Sequence, residues 1–139
     1  MSKPRVWPPI SAKIWDMKYR LKSADGAPVD QTIDDTFGRV ARAAAAVEKG
    51  SQRAVWSRRF DEALRDFSFI PAGRILAGAG TGRQVTLFNC FVMGRIEDDL
   101  GSIFEQVREA ALTMQQGGGI GHDFSTLRPQ GALVKSIGA

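Results

Sequence analysis

The sequence contains very few of the residues from which disulfides and metal sites are built. It has one cysteine and one histidine in 139 residues, which excludes an internal disulfide or a CxxC metal motif. No apolar run approaches the roughly 20 residues that a transmembrane helix needs. The basic first ten residues, MSKPRVWPPI, are followed by no apolar segment or cleavage site typical of a secretory signal. We therefore expect a soluble cytoplasmic protein without a metal site.

The composition that is present is that of an ordinary globular chain. Hydrophobic residues make up 43% and charged residues 24%, and the length corresponds to about one domain. The excess positive charge behind the net charge of +4 lies in residues 1–22 and in residues 51–83. A basic arm can bind nucleic acid or nucleotides through their phosphates. A solvated flexible terminus has the same charge pattern, and it is the interpretation that we prefer on this evidence.

The first half of the chain reads as an arm followed by helices. Residues 1–30 hold several prolines and turn residues, and we expect an extended basic arm there. Residues 14–22 alternate apolar and basic side chains, as a short strand or an irregular arm does. Residues 31–70 are predicted to be helical, with one helix over residues 32–49 and a second that begins after the capping Ser51.

From residue 71 onward the pattern becomes that of an α/β protein. Residues 71–84 are rich in glycine, and residues 85–93 (VTLFNCFVM) are nearly continuously apolar, which is typical of a strand buried on both faces. A helix is predicted over residues 100–114, with further short strands over residues 124–127 and from Ala132. Two or three short strands make a poor sheet by themselves, so we expect an incomplete sheet and a chain that looks cut off.

Few residues could carry chemistry on their own pattern. The glycines of residues 78–82 fit neither the GxGxxG nor the P-loop spacing. The run over residues 117–121 is either a helix stop or a backbone surface for a flat ligand or a phosphate. Cys90 lies in the apolar strand, where a lone cysteine is usually inert, and His122 has no nucleophile partner. The acidic pair that begins with Asp98 most simply caps a helix, and it could also hold a sugar hydroxyl.

Five short strings in a fixed order resemble the N-terminal region of class II, adenosylcobalamin-dependent ribonucleotide reductases. They are PAGRIL, FNC, DDLGSI, QQGGGIG and STLRP, and the upstream strings ISAKIWDMKYRLK and PVDQTIDDTFGRVARA also fit. Each glycine motif alone is unspecific, whereas the ordered set is specific and covers nearly the whole chain. The resemblance implies a mainly helical N-terminal region. The first strands and crossover helix of an incomplete ten-stranded α/β barrel then follow over residues 71–139.

The resemblance gives Cys90 a role that the residue pattern does not. In this family a thiyl radical takes the 3′-hydrogen of the substrate ribose, and a pair of cysteines supplies the electrons that remove the 2′-hydroxyl. The cysteine of the FNC string is the first of that pair, which implies that Cys90 is a redox thiol. The resemblance also implies that Asn89 helps to seat the nucleotide and that Gly118 and Gly119 offer backbone to the substrate base.

The resemblance also implies a regulatory site at the start of the third predicted helix. In this family a deoxynucleotide or ATP effector binds there, at a dimer interface to which residues 100–116 contribute. Asp98 would bind the effector ribose and Leu100 would pack on the effector. Arg128 would contact phosphate, a task for which an arginine is well suited.

Two hypotheses follow. The first is the N-terminal part of a ribonucleotide reductase that uses adenosylcobalamin, bound mainly by the rest of the enzyme, and a thiol reductant such as thioredoxin. This chain by itself should be inactive, because the partner cysteine, the radical cysteine and most of the barrel are missing from it. The alternative is a stand-alone nucleotide-binding and dimerisation module without catalysis. Neither a nucleic acid nor a membrane is expected as a partner.

Overall fold

The computed structural model describes residues 7–134, which divide into a first compact unit up to Leu87 and a second from Phe88. The first unit contains the helices α1 (Pro9–Lys18), α2 (Ile33–Ala45), α3 (Gln52–Arg65) and α4 (Gly73–Gly78). The second contains β1 (Cys90–Val92), α5 (Leu100–Gln115) and β2 (Gly119–Gly121). No helix within residues 7–134 has the length and apolar character needed to cross a membrane.

Helix α2 begins where the sequence supplies a complete N-terminal cap. The Thr32 hydroxyl accepts a hydrogen bond from the Asp35 N–H, and the Asp35 carboxylate accepts one from the Thr32 N–H at 2.7 Å. This reciprocal pair satisfies two of the free N–H groups at the helix start. The predicted continuation to residue 49 is wrong. The helix ends at Ala45 because the next N–H bonds three residues back, to Ala43, and tightens the last turn.

The hydrophobic core of the first unit forms where α2 meets α3 and the end of α4. Its buried members come from three separate stretches of sequence: Phe37, Val40, Ala41, Leu64 and Ala79. Ile75 and Leu76 of α4 pack against this cluster. The glycine-rich stretch after residue 71 therefore belongs to the helical unit, and the chain divides after Leu87 instead of after residue 70.

A buried ion pair ties the segments of the first unit together. Arg39 on α2 donates to the Asp30 carboxylate at 2.9 Å, and both side chains are almost fully buried. The same guanidinium also donates to the main-chain carbonyls of Tyr19, Leu76 and Ala79. One side chain thus holds the chain after α1, the loop before α2 and the end of α4.

The extended arm expected over residues 1–30 is wrong for Pro9–Lys18, which forms α1. A proline at the first helical position is compatible with a helix, because that position needs no N–H donor. The chain then reverses, and Lys22 forms an isolated antiparallel bridge with Pro28. Residues 1–6 of the expected arm lie outside the described residues.

The second unit is a strand, a helix and a parallel strand. Asp99 caps α5 by accepting a hydrogen bond from the Ser102 N–H at 3.0 Å, and Gly117, at a φ of +85°, follows its end. Strands β1 and β2 pair in parallel, with Cys90 opposite Gly119 and Val92 opposite Gly121. A parallel pair needs a crossover connection, which α5 supplies.

The predicted strands of this unit are only partly present. The strand expected over residues 85–93 is reduced to Cys90–Val92, and it is not buried on both faces, since Val92 is 96% exposed. Within residues 7–134, β1 pairs with β2 alone, so no second strand lies along its other edge. A strand buried on both faces needs packing layers on both sides of its sheet, and the two-stranded sheet in the described part of this unit does not have them. Residues 124–127 form a turn closed by the Leu127 N–H and the Phe124 carbonyl. Residues 132–134 are not a strand, and the remainder of that prediction lies outside the described residues.

Candidate functional site

The parallel strand pair brings the thiol and the second glycine run together. Cys90 lies opposite Gly119, and the Gly119 N–H donates to the Asn89 carbonyl at 2.8 Å. A Cβ at residue 119 would lie 3.5 Å from the Cys90 Sγ and 3.3 Å from the Asn89 carbonyl oxygen. The absence of a side chain at Gly119 therefore leaves the main chain next to the sulfur accessible.

Gly118 is required for a different reason. Its N–H donates to the Thr113 carbonyl at the end of α5. A Cβ there would lie 2.7 Å from the Phe91 ring and 2.8 Å from the Thr113 methyl group. Such contacts are too short for any side chain, so Gly118 allows α5 to pass directly into β2.

Cys90 is exposed, so the prediction that its strand is buried on both faces is wrong at this residue as well. Asn89 is exposed beside it. The physical reason lies in β1: Cys90 and Val92 share the exposed face of this strand, whereas Phe91 on the opposite face is half-buried. A thiol on such a strand is accessible to a reactant.

Asp98 and Arg128 form the second group of candidate residues. The Arg128 Nε donates to both oxygens of the Asp98 carboxylate, at 2.8 and 3.0 Å, and one terminal nitrogen donates to the Asp98 carbonyl at 3.1 Å. These hydrogen bonds lower the pKa of Asp98 below its ordinary value. The carboxylate is therefore ionised at neutral pH and its charge is balanced by the guanidinium.

Two further hydrogen bonds position the segments that carry these two residues. The Thr126 hydroxyl donates to the carbonyl of Ile96, whose side chain is buried. The Glu97 N–H donates to the Ser102 hydroxyl at 2.9 Å, which fixes the approach to α5. No sequence pattern marks Thr126 or Ser102 for this role, because the contact that Thr126 makes joins residues 30 positions apart in the chain.

Leu100 lies at the first position of α5, next to the ion pair. Its side chain is 70% exposed. It shares an exposed apolar stripe with three further side chains of the helix, Phe104, Val107 and Met114. The structure therefore places Asp98, Leu100 and Arg128 in one neighbourhood at the start of α5, and Asn89, Cys90, Gly118 and Gly119 in another, at the start of the strand pair.

No metal ion held by protein side chains alone is indicated within residues 7–134. His122 is the chain's one imidazole, and its Nδ1 is buried without a hydrogen-bond partner within residues 7–134. The same range contains no group of three or more His, Cys, Asp or Glu side chains able to hold a metal ion. The chemistry available here is that of an accessible thiol, exposed main-chain groups and an ion pair.

Two domain families match the chain, and their division follows that of the structure. The ribonucleotide reductase all-alpha domain matches residues 8–84, and the ribonucleotide reductase barrel domain matches residues 88–139. The chain belongs to the ribonucleotide reductase family. The first unit thus corresponds to the all-alpha domain, and β1, α5 and β2 lie in the region matched by the barrel domain.

Several curated relatives are similar to this ribonucleotide reductase chain. It is 40% identical over 125 residues to the vitamin B12-dependent ribonucleoside-diphosphate reductase of Mycobacterium tuberculosis (strain CDC 1551 / Oshkosh). The aligned region covers 87% of this chain and 18% of the relative. It is 36% identical over 88 residues to the enzyme of the same name from Thermoplasma acidophilum, and this region covers 63% of the chain and 11% of the relative. The ribonucleoside-diphosphate reductase subunit alpha of Chlamydia pneumoniae is 32% identical over 90 residues, which are 65% of this chain and 8% of the relative. The chain therefore spans less than a fifth of the length of these relatives.

Proposed function

We propose that this chain provides the first redox thiol and part of the substrate floor of a cobalamin-dependent ribonucleotide reductase. The observation that carries the proposal is the register of the parallel strands, which sets the Cys90 sulfur beside Gly119 and the carbonyl of Asn89. In this role Cys90 reacts with the nucleotide, Asn89 seats it, and the main chain of Gly118 and Gly119 contacts the base.

The redox step needs two thiols. As the ribose 2′-hydroxyl leaves as water, Cys90 and a second cysteine give up two electrons and two protons and become a disulfide, which a thiol reductant such as thioredoxin reduces again. The second cysteine and the radical cysteine are not in this chain, which holds one cysteine. The isolated chain is therefore inactive. A steady supply of reduced thiols is typical of the cytoplasm, where we place the reaction.

The names of the Mycobacterium and Thermoplasma relatives support the substrate and the cofactor. We take the substrate to be a ribonucleoside diphosphate and the cofactor to be adenosylcobalamin, which generates the initiating radical. As in the sequence analysis, the proposal assigns the binding of adenosylcobalamin mainly to parts of the enzyme that this chain does not contain.

The start of α5 is proposed as half of an effector site for a deoxynucleoside triphosphate or ATP. Asp98 accepts the ribose hydroxyl, Arg128 binds phosphate and Leu100 packs on the effector. The exposed stripe from Leu100 to Met114 supports a homodimer through α5, because its spacing of four and three residues is that of a helix–helix seam.

A chimera tests the catalytic role directly. Residues 8–139 replace the matching region of the Mycobacterium tuberculosis enzyme, and reduction of a ribonucleoside diphosphate is measured with adenosylcobalamin and a dithiol. We expect the chimera to be active and Cys90→Ser to abolish turnover, while Ser57→Ala on α3 leaves it unchanged. Turnover that survives Cys90→Ser, or a folded chimera that binds cobalamin but reduces nothing, would contradict the proposal.

A further inference from the structure

The two charged side chains of the proposed effector site are bonded to each other. The Arg128 Nε donates to both carboxylate oxygens of Asp98. The group proposed to bind phosphate and the group proposed to bind ribose therefore neutralise each other in this conformation. An incoming anion meets an arginine whose charge is already balanced by a carboxylate.

The geometry lets the carboxylate leave without loss of the arginine's position. The other two guanidinium nitrogens donate to main-chain carbonyls, one to Asp98 at 3.1 Å and one to Leu133 at 3.4 Å. Main-chain acceptors remain in place when the Asp98 side chain rotates. Arg128 thus stays oriented while its Nε is released for a new acceptor.

We propose that the Asp98–Arg128 pair is a specificity latch, which opens for ligands that carry both a ribose hydroxyl and a phosphate group. This inference rests on the proposed effector site and adds how that site selects its ligand. A nucleotide satisfies both partners at once, since the ribose hydroxyl donates to Asp98 and phosphate oxygens accept from Arg128. Inorganic polyphosphate satisfies Arg128 alone and faces the negative charge of Asp98. A nucleoside satisfies Asp98 alone and leaves Arg128 without a counter-charge.

The expected discrimination is modest, because both side chains are about one-third exposed, 34% for Arg128 and 36% for Asp98. The interaction energy of an exposed ion pair of this kind changes an equilibrium constant by at most about fivefold. Removing the carboxylate charge should therefore raise the affinity for inorganic tripolyphosphate by roughly two- to fivefold. The same change removes the acceptor of the ribose hydroxyl, so affinity for a nucleotide should fall.

The experiment titrates the full 139-residue chain with inorganic tripolyphosphate and, separately, with dTTP, at low ionic strength by calorimetry. The test variant is Asp98→Asn, which keeps the shape of the side chain and removes its charge. The matched control is Glu105→Gln on α5, which removes one exposed, arginine-paired negative charge from the same unit. We expect Asp98→Asn to bind tripolyphosphate more tightly and dTTP more weakly than the native chain, and Glu105→Gln to change the two affinities equally.

The other outcomes separate the latch from the site on which it rests. If Asp98→Asn weakens dTTP binding and leaves tripolyphosphate binding unchanged, the effector role of Asp98 stands and the latch is overturned. If it strengthens both, Asp98 is a competing charge without a ribose role, and both statements fail. If neither ligand binds the native chain or the variant, the latch is overturned for this chain. The role of Cys90 is tested independently by the chimera.

A second readout uses the native chain and does not depend on the folding of a variant. The Arg128 Nε–H resonance reports directly on its bond to the Asp98 carboxylate. Saturating dTTP should shift this resonance and change its exchange with solvent, whereas the nucleoside thymidine should leave it unchanged. An equal response to thymidine and dTTP would refute the latch.

Discussion

Replacement of Arg39 by leucine should be among the most damaging single changes in the first unit. Arg39 is 6% exposed and its partner Asp30 is 4% exposed. The Arg39→Leu change leaves the Asp30 carboxylate with two donors, the Thr36 hydroxyl at 2.7 Å and the Leu21 N–H at 3.1 Å. It also leaves the carbonyls of Leu76 and Ala79 without their guanidinium donor.

The size of the loss follows from these orphaned groups. Removal of one partner from a buried ion pair costs about 3–5 kcal/mol, because the remaining charge stays buried. A domain of this size is stable by about 5–15 kcal/mol in total. We therefore expect Arg39→Leu to remove at least a fifth of the stability of the first unit, and to unfold it if the native stability lies near the lower limit.

The effect should depend on pH in a defined direction. Burial by itself raises the pKa of Asp30, but the hydrogen bonds from Arg39, Thr36 and the Leu21 N–H together hold it below its ordinary value of 3.8. A lowered pKa in the folded state contributes stability above the unfolded pKa, and this contribution is lost as the pH falls through the folded pKa. In the variant, burial without Arg39 favours the protonated acid. The stability difference between the native chain and the variant should therefore shrink below about pH 4.

Urea unfolding followed by tryptophan fluorescence measures this loss. Trp15 is a local reporter, because its indole N–H donates to the Thr36 hydroxyl, which itself donates to Asp30. The control is Arg65→Leu, whose ion pairs with Asp34 and Asp61 are partly exposed, so its cost should be about 1 kcal/mol or less. Equal costs for the two variants, or a difference that grows as the pH falls from 7 to 3, would refute this reasoning.

Two further predictions concern the second unit. Gly118→Ala should destabilise the packing of α5 against the strands by about 1–3 kcal/mol, since its Cβ would collide with Phe91 and Thr113. The control is Gly121→Ala, where the added Cβ has open space and should change the stability little. Thermal unfolding by circular dichroism compares the two variants, and similar melting temperatures would contradict the steric argument. In the proposed homodimer, Phe104→Glu should shift the chain towards the monomer in analytical ultracentrifugation, because it places a charge in the exposed stripe of α5. An unchanged sedimentation profile would contradict a dimer through α5.

Local sequence patterns were sufficient where a helix is defined by its own residues. The start of α2 follows from Thr32 and Asp35, and the start of α5 follows from Asp99, since each cap lies within three residues of the N–H that it binds. The order of the short motifs was sufficient for the family, which the two domain matches confirm. Helix α1 was missed because its prolines suggested an extended arm, although a proline at a helix start is well tolerated.

The tertiary structure decided what depends on residues far apart in the chain. The same apolar string that predicted a strand buried on both faces forms a three-residue strand with an exposed thiol, because burial depends on neighbours that a local pattern does not contain. The meeting of Cys90 with Gly119, of Asp98 with Arg128 and of Asp30 with Arg39 each joins residues that periodicity cannot pair. Sequence by itself therefore determined the starts of α2 and α5 and the family, while the accessibility of the thiol and the partners of each charge were decided by packing.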